Sequence, residues 1–495
     1  MDNILVIGAF VIYLALMMAI GIYYYRKTNS MDDYIIGNRK LGAWVTAMSA
    51  EASDMSGWMM MGVPGAAYLA GFSSAWIAVG LGLGTWANWH FVAKRLRRYT
   101  EMANNSLTLP DFFQNRYNDH SNLLRIIPAI FIVIFFVIYT GSGFVSGGKL
   151  FSTLFGLDYT TAVLIGAFVV VFYTLTGGFM AVCWTDFIQG IMMFFAIVMV
   201  PAFAMYMLGG VQPALTAIDI VNPTFFNPFM NPDGSTISFI AFISLMGWGL
   251  GYFGQPHILV RFMAISSTSE LKRSKRIAVG WYIIAMIAAV FVGMVGKVYL
   301  TEPLSGPAVE TVLLVMTKQL FNPFMGGLIM SAVLAAIMST ASSQLLVSAS
   351  AFSQDFYRAV VRKDASHTEL VWVSRAAVLV ISAMAISIAM NPDSFILEMV
   401  AYAWAGFAAT FGPAVLMSLF WRRTTRNGVL AGIVVGGVTV LVWKQLALFG
   451  LYEIIPGFAL GLLAIYVVSK LDKEPAKEIT DLFDAVDRSN IYDLN

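Results

Sequence analysis

The chain has 495 residues, of which 59% are hydrophobic and only 12% charged, with a net charge of +2 and a mean hydropathy of +0.75. Soluble domains average about 45–50% apolar and about 25% charged residues, so this composition excludes an ordinary soluble enzyme and predicts a polytopic membrane protein. The basic residues are dispersed between apolar runs, which gives no reason to expect nucleic acid as a partner. One cysteine, Cys183, excludes a disulfide framework, and the four histidines lack metal-ligand spacing.

The predicted elements are membrane-spanning helices, because a span needs about 20 largely apolar residues and must satisfy its own backbone hydrogen bonds. The amino-terminal run is too long for a signal peptide and has no basic region before it, so we interpret it as a retained first span. Thirteen segments meet the length test and predict an all-α protein. They are 4–24, 41–70, 74–92, 125–147, 159–181, 188–208, 237–262, 277–298, 323–352, 371–390, 395–420, 428–447 and 453–469.

The placement of Lys and Arg predicts the orientation of these spans. If the amino terminus lies outside, 26 of the 30 basic residues fall on the cytoplasmic side, Arg261 among them. An odd number of spans then makes 470–495 a cytoplasmic tail. The longest outside segment, 209–236, is rich in Pro and Asn and is predicted to be a loop with turns. The whole chain, 1–495, is therefore predicted to be a single membrane domain.

The second predicted span contains a polar stretch, "SAEASDMSGWMMMGVPGAA" at 49–67. Asp54 lies 14 residues beyond Lys40, which is roughly 20 Å of helix, and a charge at that depth is costly. Gly57 and Pro64 weaken the helix just beyond it. One interpretation is a structural carboxylate paired with a distant base. The other is a cation-attracting group beside unwound backbone whose carbonyls bind an ion.

The seventh span, "FISLMGWGLGYFGQPHILVRF" at 242–262, carries four glycines followed by Pro256, so a continuous regular helix is not expected. Trp248 and Tyr252 are four residues apart and would share one face of an α-helix. A single ring in such a position is usually a packing or interfacial residue. Two rings beside a glycine-rich break at mid-span favour the wall of a binding pocket.

The ninth span contains a serine- and threonine-rich stretch, 326–353. Ala336, Ser339 and Thr340 have helical i, i+3 and i+4 spacing, so two hydroxyls and a carbonyl can point the same way. Such hydroxyls commonly bond to their own helix or bridge helices instead. Neutral oxygens with one nearby carboxylate can, however, bind and release a monovalent cation.

The two anomalous spans, the second and the seventh, are five spans apart. Discontinuous helices at this spacing suit an inverted repeat with its site at the midplane of the bilayer. One leading helix, two five-helix repeats and two trailing helices give the 13 predicted spans. The repeats would cover 41–208 and 237–390, the second extending as far as 420.

Several motifs resemble the solute:sodium symporter family, among them "ASDMSGW", "SLMGWGLGYFGQPHIL", "LAAIMST", "YAWAGF" and "GGFMAVCWTD", and the likeness runs from about Asp33 to Phe458. Within the family they are most similar to the bacterial branch that carries L-proline. The resemblance implies a leucine-transporter-like fold, inward co-transport of sodium with L-proline, and a place in the bacterial inner membrane. It implies sodium as a co-substrate, no further cofactor and no obligatory protein partner.

The resemblance also assigns roles to residues. The sodium ligands would be the backbone carbonyls of Ala52, Met55 and Ala336 and the hydroxyls of Ser339 and Thr340. Sodium coupling would involve Asp54, Arg39 and Asp186. Proline binding would involve Ser56, Gly57, Tyr139, Trp248, Tyr252 and Pro256. Glu51 departs from the family pattern, which has a small residue at this position.

Three alternatives remain open at the level of sequence. The same fold could carry another solute, such as pantothenate or a sugar. An intramembrane aspartyl protease would need two facing carboxylates, and no second buried aspartate in a setting like that of Asp54 is expected. A passive channel would give flux that neither saturates nor depends on sodium. We therefore expect a transporter and not an enzyme.

Overall fold

The computed structural model describes residues 3–27, 31–176 and 178–492. In this part of the chain the regular elements are helices, and the only β pairings are two isolated bridges, Leu41–Ile265 and Met230–Thr236. The α-helices are α1 (Asn3–Tyr25), α2 (Met31–Ile36), α3 (Ala43–Asp54), α4 (Val63–Ala70), α5 (Trp76–Ala87), α6 (Ala93–Met102), α7 (Leu109–Tyr117), α8 (Leu123–Phe155), α9 (Tyr159–Thr176), α10 (Phe179–Met207), α11 (Val211–Val221), α12 (Phe239–Met246), α13 (Pro256–Ala264), α14 (Leu271–Tyr299), α15 (Val312–Leu320), α16 (Pro323–Ser350), α17 (His367–Ala389), α18 (Ile396–Phe420), α19 (Arg426–Leu446), α20 (Ile454–Leu471) and α21 (Lys477–Tyr492).

Ten helical segments among the described residues are long and apolar enough to cross a membrane. The other predicted spans fall on shorter apolar helices at Tyr159–Leu175 and Phe239–Gly254 and on the divided helix formed by α3 and α4. Residue 177, inside the predicted span 159–181, lies outside the described residues. The prediction of an all-α membrane fold is confirmed, with ten of the 13 predicted spans meeting this length and apolarity test among the described residues.

The segment 209–236 between two predicted spans is more ordered than predicted. It contains α11 and a 3₁₀ turn, Pro223–Phe226, which begins where the Asn222 side chain accepts a hydrogen bond from the Thr224 N–H. The prediction of a loop with turns was wrong for 211–221. Its apolar residues recur at helical spacing, and Ala214 and Ile218 are buried on one face.

The centre of the bundle consists of helices with small side chains that allow close approach. α3 packs against α10, α13, α14 and α16, and α16 is buried along most of its length. A Cβ at Gly84 of α5 would overlap with the Gly249 backbone, and a Cβ at Gly249 would overlap with Gly80. Glycines at this crossing let two backbones touch, as is common between membrane helices.

The predicted tail, 470–495, is largely helical, and its last three residues lie outside the described part of the chain. Its helix, α21, packs on α6. Arg422 forms a bidentate ion pair with Asp484 at 2.8 and 2.9 Å, and Arg95 pairs with Asp487. The buried side chains of Phe483 and Val486, together with these ion pairs, hold the tail helix against the bundle.

Candidate functional site

The second span is broken directly after the buried carboxylate. α3 ends at Asp54, and Met55 has φ −76° and ψ 78°, outside the helical region. The Ser56 N–H donates back to the Asp54 carbonyl at 2.9 Å, and the chain resumes as a π-helical turn, Trp58–Gly62, before α4. A Cβ at Gly57 would overlap with Ser146 of α8, so the break also requires a glycine. The predicted interruption is confirmed, and Pro64 lies in the first turn of the resumed helix.

The break brings the Ala52 carbonyl to the hydroxyls of α16. The Ser339 hydroxyl lies 2.7 Å and the Thr340 hydroxyl 3.2 Å from the Ala52 oxygen. The Ser339 hydroxyl is also 3.2 Å from the Ala336 carbonyl. Thus two carbonyls and two hydroxyls from residues nearly 300 positions apart converge, with Met55 at the non-helical end of α3. Such neutral oxygens are suited to a monovalent cation.

Asp54 is buried, with only 1% of its surface exposed, and accepts a hydrogen bond from the Tyr252 hydroxyl at 2.7 Å. Its other carboxylate oxygen, Oδ1, has no hydrogen-bond partner among the described residues. The Trp58 indole N–H donates to the Asp54 carbonyl at 2.8 Å, and the Tyr139 hydroxyl lies 3.5 Å from that carbonyl. The side chain is therefore held in place on one oxygen only.

The seventh span is also interrupted, as the glycines predicted. α12 passes into a 3₁₀ helix, Gly247–Gly254, then Gln255 is extended and α13 begins at Pro256. The prediction that Trp248 and Tyr252 share one face was wrong in its premise. A 3₁₀ helix has three residues per turn, so residues four apart are offset around its axis.

Trp404 of α18 contacts both aromatic residues of this segment, Trp248 and Tyr252. Its indole N–H donates to the Trp248 carbonyl at 2.7 Å, and its ring packs edge-on against Tyr252 with centroids 5.2 Å apart. A Cβ at Gly251 would overlap with this indole. The site assignment from sequence missed Trp404 and also Trp58, whose ring lies 6.4 Å from Trp248. Both tryptophans stand inside the motifs "YAWAGF" and "ASDMSGW" and could have been found there.

Asp186 belongs to a separate buried cluster. It accepts hydrogen bonds from the Ser49 hydroxyl at 2.7 Å and from Arg261 at 3.2 Å, and both charged side chains are inaccessible to solvent. Arg261 also donates to the Ser343 hydroxyl at 2.6 Å. Arg261, counted among the basic residues of the cytoplasmic side, is thus buried in the bundle, and Asp186 is a buried aspartate that, unlike Asp54, is paired with a base. An apolar run cannot reveal which base a buried acid will meet.

Arg39 lies apart from both clusters. It has a positive φ of 52° and donates to the Asn105 side chain at 2.9 Å and to the Ser106 carbonyl at 2.9 Å. It also donates to the Met263 carbonyl at the end of α13. Arg39 thus ties the segment before the second span to the end of the seventh.

A third polar cluster joins α8 to the amino end of α18. The Lys149 ammonium pairs with Glu310 at 2.6 Å and donates to the Ser394 carbonyl at 2.9 Å. The Glu310 carboxylate also accepts from the Ile396 and Leu397 N–H groups, at 2.9 and 3.0 Å. A carboxylate at the start of a helix satisfies unpaired N–H groups and is favoured by the helix dipole.

The arrangement can hold a cation and an adjacent small solute. The residues predicted for sodium and proline lie along two broken spans and their neighbours α8 and α16. Asp54 connects the two groups, because its carboxylate meets Tyr252 and its carbonyl approaches Tyr139. Arg39 bonds instead to Asn105 and Ser106, and Asp186 bonds to Ser49 and Arg261.

Comparison with known proteins identifies the family. The family model of the sodium:solute symporter family matches residues 34–436. The chain is 49% identical over 483 residues to the sodium/proline symporter of Escherichia coli K12, covering 97% of this chain and 95% of that protein. It is 49% identical over 471 residues to the high-affinity proline transporter PutP of Bacillus subtilis 168, covering 94% of this chain and 98% of that protein.

The fold has a counterpart among solved structures. A Na⁺-coupled sialic acid symporter, solved in a substrate-bound outward-open state, matches with a TM-score of 0.77 over 96% of this chain and 99% of that one, at 18% identity. These relatives are transporters and not enzymes. The chain therefore belongs to the sodium:solute symporter family.

Proposed function

We propose that the protein takes up L-proline together with sodium by alternating access. The observation that carries the proposal is the meeting of the Ser339 and Thr340 hydroxyls with the Ala52 carbonyl at the end of a broken membrane helix. The names of relatives that are nearly half identical over almost the whole chain support proline as the solute.

In this proposal sodium is bound by neutral oxygens and is carried as a substrate. Its ligands are the carbonyls of Ala52, Met55 and Ala336 and the hydroxyls of Ser339 and Thr340. Ion binding replaces the hydroxyl-to-carbonyl hydrogen bonds, so the ion would join α3 to α16 more firmly than those bonds do. Asp54 supplies negative charge nearby without direct ligation.

Proline is a net-neutral zwitterion with an apolar ring. The faces of Tyr139, Trp248 and Tyr252 can enclose that ring, while sodium and the ends of the broken helices meet its charged groups. Ser56 and Gly57 would line the pocket from the break in the second span. Pro256 fixes the start of α13 directly after the break in the seventh span.

The coupling needs no energy source beyond the sodium gradient and the membrane potential. A unit charge that moves inward gains about 2.3 kcal/mol per 100 mV. At 1.36 kcal/mol per decade, one sodium ion supports roughly 50-fold accumulation from voltage alone. We place the chain in a bacterial inner membrane with its amino terminus outside, and we assign Asp186 and Arg39 to coupling on the cytoplasmic side.

Competition for uptake tests the solute. Cells that express the protein should take up labelled proline in sodium medium, and a hundredfold excess of unlabelled proline should abolish the signal. An equal excess of pantothenate or of a sugar should leave it unchanged. Failure of proline to compete, or competition by one of the other solutes, would contradict the assignment.

A further inference from the structure

An apolar groove runs along the outside of the bundle between α5 and α14, and it has a volume of about 500 Å³. Its two walls include the side chains of Val79, Leu83 and Trp86 from α5 and of Val279, Ile283 and Ile287 from α14. All of these except Val279 are exposed. The hydroxyl of Tyr282, which also lines the groove, already donates to the Ala78 carbonyl at 2.8 Å. The groove therefore suits an apolar ligand.

The groove is long and narrow. It follows α14 from Val279 to Phe291, a distance of roughly 18 Å at 1.5 Å per residue. The volume divided by this length gives a mean cross-section of roughly 28 Å². A helix about 10 Å in diameter has a cross-section of roughly 80 Å², so a helix of a partner protein or of a second copy does not fit into the groove. An extended acyl chain, which is one methylene wide, does fit.

The end of the groove near the start of α14 is aromatic and then basic. The Trp86 ring stacks on the His90 ring with centroids 5.1 Å apart, and the Lys275 ammonium lies 3.0 Å from the His90 Nδ1. Arg276 is exposed and lies three residues before Val279, so it continues the groove face of α14. Tryptophan is typical of the membrane–water interface. This end of the groove therefore lies at the level of the lipid headgroups.

The two basic residues at this end are not neutralised by the protein. Lys275 bonds to the His90 ring, and no carboxylate of the described residues lies within 4.0 Å of the Lys275 ammonium or the Arg276 guanidinium. Basic residues beside a cleft between membrane helices attract anionic lipid headgroups. Two cations at the mouth of an apolar groove thus match a ligand that has an apolar chain and a negatively charged head.

We propose that the groove binds one acyl chain of an anionic phospholipid and that Lys275 and Arg276 bind its phosphate. Because the chain leaves a bilayer that is as apolar as the groove, its burial contributes packing but little hydrophobic free energy. The headgroup charge therefore provides most of the selectivity among lipids, and the groove fixes where the headgroup lies. With the amino terminus outside, this site faces the cytoplasmic leaflet. The proposal does not depend on which solute the protein carries.

Native mass spectrometry of the detergent-purified protein tests this inference. The protein is titrated with phosphatidylglycerol or with phosphatidylcholine that has the same acyl chains but no net charge. Each basic residue near an anionic headgroup contributes a factor of about five in binding, so two of them favour phosphatidylglycerol about 30-fold. We expect one tightly bound phosphatidylglycerol per chain. Equal affinity of the wild type for the two lipids would overturn the proposal.

The double variant Lys275→Gln with Arg276→Gln tests the headgroup site. Its affinity for phosphatidylglycerol should fall to that for phosphatidylcholine, which should stay unchanged. The matched control is Lys470→Gln with Lys473→Gln, which removes two exposed basic residues at the end of α20 and should keep the preference. An equal loss of preference in both double variants would indicate diffuse attraction by the whole surface and contradict a site at this groove.

Ile283→Trp tests the groove itself. The larger side chain fills part of the groove, so both lipids should bind about tenfold more weakly. Ile284→Trp is the matched control, because Ile284 follows directly in α14 and is 49% exposed against 50% for Ile283, but does not line the groove. It should bind both lipids as the wild type does. Equal affinities in the two tryptophan variants would contradict an acyl chain in the groove.

Two further outcomes would assign another occupant. If glycerol phosphate, which has no acyl chain, displaces phosphatidylglycerol at equal concentration, the basic residues bind a free phosphate and the groove has no part in binding. If the wild type is a dimer that becomes monomeric in Ile283→Trp but not in Ile284→Trp, the groove is an interface between two copies of the chain. Either result would overturn the lipid assignment.

Discussion

Two of the buried aspartates, Asp54 and Asp186, differ in the groups that surround their charge. Asp186 meets Arg261, and the hydroxyls of Ser49 and Ser343 complete the cluster. Asp54 accepts a hydrogen bond from one tyrosine hydroxyl, and its other carboxylate oxygen has no hydrogen-bond partner among the described residues. The charge of Asp186 is therefore balanced by a base on another helix, whereas the carboxylate of Asp54 meets only a neutral hydrogen-bond donor among the described residues.

The largest expected effect concerns stability and lies at Asp186. Arg261→Gln leaves a buried carboxylate without its base, which costs about 3–5 kcal/mol for a buried pair. Thermal unfolding of the detergent-purified protein should show a clear drop in Tm. The double variant Asp186→Leu with Arg261→Met, which removes both charges, should recover much of that loss. An unchanged Tm for Arg261→Gln would show that the pair does not hold the core.

Asp54→Asn should leave stability nearly unchanged and weaken sodium binding instead. Asparagine can still accept the hydrogen bond from Tyr252, but it lacks the negative charge. Interactions with a charged group contribute about 1.5–3 kcal/mol, which is the loss we expect in sodium binding. The sodium concentration for half-maximal uptake should rise about 10–150-fold. The exposed loop variant Asp233→Asn is the control and should behave as wild type. A sodium dependence of uptake in Asp54→Asn equal to that of wild type would contradict a role of the Asp54 charge in sodium binding.

Ser339→Ala tests the neutral oxygens. Loss of one hydroxyl ligand to a buried site costs about 1 kcal/mol, which raises the half-saturating sodium concentration about fivefold. Ser331→Ala, in the same helix, removes a hydroxyl that only donates to the Gly327 carbonyl at 2.8 Å, and it should leave uptake unchanged. Equal effects of the two variants would assign Ser339 to helix packing.

The smallest effect is expected at the tail helix, where charges are exposed. The hydrogen bond from Arg422 holds the pKa of Asp484 below its ordinary value. The Arg422–Asp484 pair therefore contributes fully to docking of the tail helix above about pH 3.9, the ordinary pKa of an aspartate. This contribution is lost as the pH falls through the lowered pKa of Asp484. Hydrogen exchange of Lys477–Tyr492 should rise only below about pH 4, and Asp484→Asn should exchange faster at neutral pH without loss of uptake. Protection in Asp484→Asn equal to that of wild type would show that this pair does not dock the tail.

Composition and spacing predicted the helical fold and both broken spans, because glycine, proline and a deep carboxylate each carry a direct backbone or solvation cost. The convergence of Ala336, Ser339 and Thr340 on one helix was also predictable from their spacing. Their meeting with Ala52 was assigned through the family resemblance, since no local pattern specifies which of many helices will pack together. The partner of Asp186 could not be predicted for the same reason.

Two errors came from applying local rules where tertiary packing decides. Arg261 was counted only for its position along the chain, which does not reveal that Asp186 on another helix pairs with it inside the bundle. Trp248 and Tyr252 were placed on one face because an α-helix was assumed. The glycines that allow contact with α5 and Trp404 also allow the tighter 3₁₀ winding.

Uptake of labelled proline into proteoliposomes that contain only the purified protein tests the central claim most directly. With an inward sodium gradient and an inside-negative potential, proline should accumulate well above its external concentration. With equal sodium on both sides and no potential, it should only equilibrate. Accumulation that is the same under both conditions, or that persists when potassium replaces sodium, would contradict sodium-coupled transport by this chain.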